Sequence, residues 1–295
     1  MSFPNVIYGD SGDQHGTSIT QQHSLGTRMV LPDGRVYRYI ENAATALKAG
    51  LILQAPPSTI DGASQAFTLQ ADALAGATSI RLNPTMDTSE IPYGDLDEGY
   101  VVFSATGSTG MGEIHQLLSA FRGGTAFRAF KGSTGSESAV LVASTNLKSW
   151  HTVTGTVVEL YFTHGDKLQN AQVTDTGVVR LVKNPYKDVI VKPAVVSQIP
   201  IGVPNNVIPA SYYGWAQTWG PCPVIVDLGT QSNIVRGVAV CAATEDVGAV
   251  MGAYSTQITG TGAYYEGGFI LPPVGYVMEK AADTFHAVIF LTISP

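Results

Sequence analysis

Short runs of β-branched and aromatic residues, separated by Gly, Pro, Asn and Asp, dominate the chain. The clearest runs occupy residues 35–39, 66–70, 78–82, 99–103, 156–162, 178–182, 188–191, 224–227, 237–243, 275–278 and 287–293. Such runs are typical of β-strands. Because they follow one another without long helical patterns, they predict an all-β protein with two small sandwich or barrel domains. The last run carries apolar residues on both faces, which predicts a strand in the centre of its sheet.

The first 30 residues have no periodic apolar face and are rich in Gly, Asp, Ser, Thr and Gln. This composition predicts an extended N-terminal arm that becomes ordered only on contact with another molecule. A Pro-Asp-Gly turn at residues 32–34 precedes a predicted strand. Ala and Leu recur at helical spacing over residues 41–48, just before Gly50, and predict one short helix.

Prolines mark two predicted boundaries. Pro56 and Pro57 end the first segment, and four prolines between residues 193 and 209 disfavour both helix and central strand there. We therefore predict three parts: residues 1–57 as an N-terminal arm with a turn, a strand and a short helix, residues 58–193 as a β domain with inserted loops, and residues 194–295 as a C-terminal barrel-like β domain.

Charged residues make up only 13% of the chain, against roughly 25% in soluble domains. Because the cores of subunit interfaces are depleted of Lys, Glu and Asp, this deficit favours a protein whose surface is covered by other subunits. A monomer with a Ser- and Thr-rich surface is the alternative. The net charge of −7 and the lack of a Lys/Arg cluster argue against nucleic-acid binding. No apolar run reaches the roughly 18 residues of a membrane-spanning helix.

The chain starts with Met-Ser-Phe-Pro-Asn, without the basic and apolar segments of a secretory signal. We therefore expect synthesis and assembly in the cytoplasm. Cys222 and Cys241 are too few for a disulfide framework, and we predict that both are small buried residues in a reducing compartment.

The residue types that carry common enzyme chemistry are scattered. The six histidines form no HExxH or HxH motif, and the two cysteines lack zinc-ligand spacing. The Gly-Ser-Thr-Gly segments at 107–110 and 132–135 are not followed by Lys-Ser/Thr, so we interpret them as loops and not as phosphate sites. No Gly-x-Ser-x-Gly sequence lies on a convincing strand-to-helix elbow. We predict no catalytic residue, no metal site and no cofactor.

One cluster of acidic residues has three possible roles; it contains Asp87, Glu90, Asp95, Asp97 and Glu98. Its carboxylates could bind calcium, or two of them could act as the acid and the nucleophile of a glycosidase. A solvated loop with turn-forming Asp residues is the interpretation we favour.

The densest aromatic group comprises Tyr212, Tyr213, Trp215 and Trp219. These side chains could pack in the core, anchor a protein interface or stack on sugars. The sequence leaves these three roles open.

Several segments of the chain resemble the head decoration, or capsid-stabilising (cement), proteins of tailed phages. They are residues 26–28, 31–39, 43–50, 53–56, 184–191, 213–221, 237–239 and 287–292. These segments contain residues typical of turns and strands, and no motif typical of a catalytic site. They touch both ends and the middle of the chain, whereas residues 104–150 lie outside the resemblance.

The resemblance implies a non-enzymatic virion protein on the outer surface of the capsid, assembled in the host cytoplasm. Its partners would be the major capsid protein and its own copies in a homotrimer. The interface candidates are Arg28, Arg35, Tyr37, Arg38, Tyr39, Tyr212, Tyr213, Trp215 and Trp219. The alternative function is a tail, baseplate or fibre component that binds host glycans through the aromatic group.

Overall fold

The structure is a computed structural model, and it describes most of the chain. The described residues are 6–57, 67–83, 91–92, 95–103, 112–118, 127–131, 140–141, 149–150, 156–174, 178–194, 198–227, 234–244, 246–253, 272–280 and 286–295. The predicted all-β class is confirmed, since the described residues form strands, turns and a single 3-10 turn at Asp13–His15. Within this described part, no helix has the length and apolarity needed to cross a membrane.

The chain forms two units: unit 1 contains residues 1–57 and 185–295, and unit 2 contains residues 58–184. Unit 1 begins with β1 (Val6–Tyr8), β2 (Arg28–Val30), β3 (Val36–Glu41) and β4 (Leu53–Gln54). Unit 2 contains β5 (Phe67–Leu69), β6 (Ser79–Asn83), β7 (Ile91–Pro92), β8 (Tyr100–Phe103), β9 (Ile114–Gln116), β10 (Phe127–Lys131), β11 (Val140–Leu141), β12 (Ser149–Trp150), β13 (Thr156–Tyr161) and β14 (Val178–Val182). Unit 1 then continues with β15 (Ile190–Val191), β16 (Pro200–Pro204), β17 (Tyr213–Ile225), β18 (Ala239–Ala242), β19 (Val250–Gly252), β20 (Gly275–Glu279) and β21 (His286–Thr292).

The main sheet of unit 1 has the strand order β1-β2-β3-β17-β21-β20-β18-β19, and β4, β15 and β16 pair beside it. As predicted, β21 lies centrally, between β17 and β20. Its residues Ala287, Ile289 and Leu291 are almost completely buried, because they belong to an apolar core that also contains strands β17, β18 and β20.

The long strand β17 carries two prolines, which are rare in paired strands because they cannot donate a backbone hydrogen bond. The register of the strand pairing explains why β17 accommodates both prolines. Strand β3 pairs with β17 only as far as Trp219, whereas β21 pairs with β17 along its second half. The backbone N–H of Ile225 points away from β21, to the carbonyl of Gly50. Pro221 and Pro223 have the same parity as Ile225, so neither removes a hydrogen bond from the β17–β21 ladder.

The prediction that the first 30 residues form an arm ordered only by another molecule is corrected for the described residues 6–30. They belong to unit 1, where Met29, Tyr37 and Tyr39 are buried together with Trp215. Strand β1 pairs with β2 in parallel, and β2 pairs with β3. No periodic pattern is visible here in the sequence, because β1 and β2 have only three residues each.

The helix predicted over residues 41–48 is wrong. The backbone N–H groups of Ala43 and Leu47 donate to the carbonyls of Val189 and Ile208, which are distant in sequence. A helix would have needed those N–H groups for carbonyls four residues earlier. Leu47 is 1% exposed, so its apolar character serves tertiary packing.

The predicted domain division also differs from the structure at its second boundary. The first boundary, after residue 57, coincides with the limit of unit 1, but the described residues 6–57 pack with the C-terminal part and not as a separate arm. The second boundary falls after residue 184 and not after residue 193. The reason is that β15 pairs with β4 and that β16, within the proline-rich stretch, pairs with both β4 and β17.

The main sheet of unit 2 has the order β11-β10-β13-β6-β5-β14-β8-β9, and β7 and β12 form a separate two-stranded sheet. Hydrogen bonds from Leu118 N–H to Tyr161 O and from Thr163 N–H to Gln116 O bring the end of β9 back to β13. The six strands from β13 to β9 therefore close on themselves. Buried residues alternate along these strands, as period-2 patterning requires; they include Phe67, Leu69, Ile80, Leu82, Val101, Phe103, Leu160, Phe162, Val179 and Leu181.

Candidate protein-contact surface

One side of the unit 1 sheet is apolar across four strands. The register places Ala239 (β18), Tyr276 (β20), Phe290 (β21) and Pro221 (β17) in a single row. Directly paired residues of antiparallel strands point to the same side of a sheet. These four side chains therefore share one face.

The opposite side of the same strands forms the core of this part of the unit. Val240, Val277, Ile289 and Cys222 lie next to the residues of the row in sequence and are all buried in one cluster. Because side chains alternate between the two sides of a strand, the row that contains Tyr276 faces outward.

Further outward residues extend the row in both directions. Val288 pairs with Pro223, and Thr292 pairs with Trp219. Met278 is exposed at the point where the β20–β21 register shifts. We call this surface the outer face; it comprises Trp219, Pro221, Pro223, Ala239, Tyr276, Met278, Val288, Phe290 and Thr292.

The outer face is accessible as well as apolar. The side chains of Tyr276 and Met278 are 48% and 46% exposed, and both prolines of β17 are exposed. Trp219 and Phe290 are half-buried against each other, with ring centroids 5.5 Å apart in an edge-to-face arrangement. An antiparallel sheet with one solvated side normally alternates apolar and polar residues. Among the nine residues of the outer face only Thr292, the Tyr276 hydroxyl and the Trp219 indole are polar, and the charged residue Glu279, which pairs with Val288, lies on the same side of the sheet.

Among the described residues, one ion pair lies beside the outer face. Arg236 Nη2 donates to both carboxylate oxygens of Glu279, each at 2.6 Å, and Glu279 is paired with Val288 across β20 and β21. Both charged side chains are more than half exposed. The pair is neutral, so it adds no net charge to the surface; Lys280 and His286 lie at the ends of β20 and β21.

Three of the residues proposed from sequence as interface candidates lie in the core. Tyr37, Tyr39 and Trp215 are at most 5% exposed. Tyr39 packs edge-on against Trp215 and parallel to Tyr213, with ring centroids 4.9 and 5.9 Å apart. Of the three roles left open for the aromatic group, core packing applies to Trp215, whose ring no partner or sugar reaches in this conformation.

The three arginine candidates are partly exposed, and two of them are engaged within unit 1. Arg35 Nε lies 2.7 Å from Asp33 Oδ2. Arg38 donates to the Gly26 carbonyl at 3.1 Å and to the Ser294 hydroxyl at 2.9 Å. Arg28 lies on β2. Arg35 and Arg38 thereby hold turns and the C-terminal residues in place.

The remaining candidates are partly exposed and lie on or next to β17. Tyr212 packs against the core that includes Leu47 and Ile208. Tyr213 stacks on Tyr39, and its burial raises the pKa of its hydroxyl to about 12. Trp219 is the one candidate that belongs to the outer face.

Sequence reasoning missed most of the outer face. Tyr276, Phe290 and Pro221 are distant in sequence and meet only through the pairing of β17, β20 and β21. The available signal was the run at 287–293, whose residues are apolar at both parities. This run predicts a central strand, and alternate residues of it are buried in the core, whereas the residues between them lie on the outer face.

The described part of the acidic cluster is engaged in unit 2. Asp95 Oδ1 lies 2.5 Å from Lys183 Nζ, and Glu98 is 1% exposed. Asp87 and Glu90 lie outside the described residues, as do both Gly-Ser-Thr-Gly segments. The described carboxylates are thus partly buried, which differs from a fully solvated loop.

Another polar group, centred on His115, lies inside unit 2. The His115 ring nitrogens lie 2.9 Å from Glu113 Oε1 and 2.9 Å from Asp166 Oδ1. Phe162 stacks on the ring at 4.6 Å, and His115 is 3% exposed. The carboxylates approach the ring from opposite nitrogens, so the three groups do not converge on one point. In the described part of the chain, no cluster of three or more His, Cys, Asp or Glu side chains is suited to hold a metal ion.

Both cysteines are free and buried, as predicted. Burial raises the pKa of the Cys222 thiol to about 12 and also raises that of Cys241. A thiol without thiolate character is a poor nucleophile and a poor metal ligand. Both residues therefore act as small apolar side chains of the core.

Comparisons with protein-family models, with curated proteins and with solved structures found no match.

Proposed function

We propose that this chain is a non-enzymatic structural protein of a virion, a decoration (cement) protein that binds the outer surface of the major capsid shell and stabilises it. Its partners are the major capsid protein and its own copies, arranged as a homotrimer. The observation that carries the proposal is the outer face, an accessible apolar surface beside which the described residues form one neutral ion pair, Arg236–Glu279.

Exposure of an apolar face to water is unfavourable in free energy, and contact with another protein removes that exposure. Burial of apolar surface is worth roughly 25 cal/mol per Å². The outer face spans four strands, which lie ~4.8 Å apart, and about five residues of each strand, at a rise of ~3.4 Å per residue. Its area is therefore roughly 300 Å². A stable interface buries roughly 800 Å² per partner. One such contact is weak, and a shell with many identical sites compensates through multivalency.

The alternative function is a tail, baseplate or fibre component that binds host glycans. Ligand sites for polar molecules combine apolar contact with a few directed polar groups. The outer face offers Thr292 and the hydroxyl of Tyr276 beside mainly hydrocarbon surface. Trp215, a member of the aromatic group that could stack on sugars, is only 5% exposed. The outer face is therefore better suited to protein than to sugar.

Attachment to viral heads tests the proposal directly. Heads that lack the protein are mixed with the purified chain, and occupancy is measured by cosedimentation and electron microscopy. We expect saturable binding to the outer surface, reduced by the double substitution Tyr276→Ser and Phe290→Ser. Leu74→Ser is the matched control, because Leu74 is apolar and 74% exposed but belongs to unit 2.

Two results would overturn the proposal. One is a wild-type chain that leaves heads bare while intact particles carry it on the tail. The other is binding to a glycan array that disappears with Trp219→Ala, which supports the host-attachment alternative.

A further inference from the structure

We propose that Arg28 and Arg38 together form a binding site for a carboxylate group of the protein partner. The two residues are paired directly across the antiparallel strands β2 and β3, and both are partly exposed. Their side chains therefore leave the same side of the sheet, with Cβ atoms about 5 Å apart. The inference rests on the proposed function only in that the partner is a protein.

The positive charge of this pair is not compensated within the described part of the chain. Arg38 donates to neutral oxygens, the Gly26 carbonyl and the Ser294 hydroxyl. Arg28 has neither a hydrogen bond nor an ion pair with a described residue, and the Nε atoms of both arginines lack an acceptor. Like charges directly opposite each other destabilise a pair of strands, and a shielded donor without an acceptor is also unfavourable. Local violations of this kind are typical of functional sites.

Other basic side chains of unit 1 show the usual arrangement, in which a carboxylate lies against the cation. The pairs are Arg35 with Asp33, Lys187 with Glu41 and Arg236 with Glu279. The chain has 23 acidic residues against 16 Lys and Arg residues, so an arginine pair without a carboxylate is not explained by a shortage of acidic side chains. The charge complementary to this pair is an anion from outside the chain.

The arginine pair lies on the same side of the sheet as the outer face. Arg38 and Val36 are two residues apart on β3, so their side chains point to one side. Val36 pairs with Trp219, which belongs to the outer face. The pair thus places positive charge beside an apolar surface, and arginine and aromatic residues are the types enriched in protein interfaces. This position favours a carboxylate carried by a protein over a free anion.

The guanidinium group determines the class of ligand. Its planar fork of N–H donors matches the two oxygens of a carboxylate, and the contact is charge-assisted at both oxygens. Two guanidinium groups from neighbouring strands offer such donors from two sides. A phosphate group presents similar oxygens, so the experiment has to separate the two anions.

Titration of the purified chain with sodium acetate, the simplest carboxylate, tests the site without any partner. The Nε–H resonances of Arg28 and Arg38 are followed by ¹H–¹⁵N NMR at constant ionic strength, and each is assigned by its loss in Arg28→Gln or Arg38→Gln. We expect both resonances to shift saturably in wild type. The Arg38 resonance in Arg28→Gln should report binding about tenfold weaker, because one guanidinium group then replaces two.

Two controls separate a binding role from a structural one. Arg180→Gln removes an exposed arginine of β14 in unit 2 and should bind acetate as wild type does. Arg28→Gln should unfold at the same temperature as wild type or at a higher one, because the substitution removes a like-charge repulsion. A structural role for Arg28 would instead lower the unfolding temperature.

The inference is overturned if acetate leaves both resonances unchanged, if Arg180→Gln weakens binding as much as Arg28→Gln, or if Arg28→Gln is clearly less stable than wild type. A parallel titration with sodium phosphate completes the test. Binding of phosphate without binding of acetate would identify a phosphate site and overturn the assignment to a protein carboxylate.

Failure of this inference and failure of the proposed function give different results. Wild type that binds heads but shows no acetate effect overturns the inference alone. An acetate effect together with bare heads overturns the capsid as the partner and leaves the carboxylate site in place. Where both experiments succeed, Arg28→Glu should occupy heads less than wild type and Arg180→Glu should not. Equal occupancy by Arg28→Glu and wild type would show that the partner supplies no carboxylate to this site.

Discussion

The hydroxyl of Tyr37 donates a 3.2 Å hydrogen bond to Oε1 of Gln217, although 180 residues separate the two along the chain. Asn205 Nδ2 lies 2.7 Å from the same hydroxyl and 3.0 Å from Gln217 Oε1. Tyr37 and Gln217 are completely buried. Polar contacts as well as apolar packing thus join the N-terminal segment to the longest strand of unit 1.

Loss of the Tyr37 hydroxyl should destabilise unit 1. Tyr37→Phe removes a donor to Gln217 and an acceptor for Asn205 Nδ2 and for Arg35 Nη1. An unsatisfied buried polar group costs about 1–3 kcal/mol, so we expect the free energy of unfolding, measured with denaturant, to fall by about this amount. Tyr276→Phe, at an exposed position, is the control and should be neutral. Equal stability of the two variants would contradict the role given to this network.

The N-terminal segment should also contribute to the core of unit 1. Met29 is 1% exposed and belongs to a cluster with Tyr37, Tyr39 and Trp215. Met29→Ala is expected to lower the free energy of unfolding by about 2–5 kcal/mol, as for other large-to-small core substitutions. Ile19→Ala removes a comparable side chain from a position that is 67% exposed and should cost little. If both substitutions prove neutral, residues 6–57 are not part of the folded core.

Strands that lie within a continuous run of β-forming residues could be predicted from the sequence, and strands without such a run, such as β1 and β2, could not. The runs at 178–182 and 287–293 match β14 and β21 almost to the residue. By contrast, β1 and β2 have three residues each, too few to show an alternation. The segment at 41–48 has helical spacing, but its backbone N–H groups bond to distant carbonyls. Tertiary contacts decide the structure where local patterns are short.

The candidate surface was less predictable than the strands. Tyr276 and Phe290 lie on one face because of the way in which their strands pair and the register of that pairing. Local sequence patterns do not indicate which residues distant in sequence will pair. Conversely, the aromatic group around Trp215 was conspicuous in sequence but is mostly core. Local aromatic density indicates packing or binding equally well, and only burial separates the two.

The two thiols should be unreactive in the folded protein. Burial raises the pKa of Cys222 to about 12, although the nearby charge of Arg35 acts in the opposite direction. At pH 8 only about one Cys222 thiol in ten thousand is then ionised, and the thiolate is the reactive form. We expect a disulfide reagent such as DTNB to modify less than one thiol per chain in buffer and both thiols in denaturant. Rapid modification of two thiols in buffer would show that Cys222 and Cys241 are accessible.

Glu113 should make the stability of unit 2 sensitive to acid. Burial alone would raise its pKa, but hydrogen bonds from the Gln169 N–H and from His115 outweigh it, so the pKa lies below the ordinary value of 4.5. A carboxyl group whose pKa is lower in the folded than in the unfolded state stabilises the fold above the unfolded pKa. That contribution is lost as the pH falls through the folded pKa. The stability that Glu113 provides is therefore complete near neutral pH and declines below pH 4.5.

The substitution Glu113→Gln isolates this contribution. Near neutral pH the variant should unfold at a lower temperature than wild type, because an amide accepts weaker hydrogen bonds from His115 and from Gln169. The difference should shrink as the pH falls from about 6 to about 3, as wild-type Glu113 becomes protonated. Glu279→Gln is the control, since Glu279 is exposed and lies in unit 1. A gap between wild type and Glu113→Gln that stays constant over this pH range would mean that the carboxylate charge of Glu113 does not stabilise unit 2.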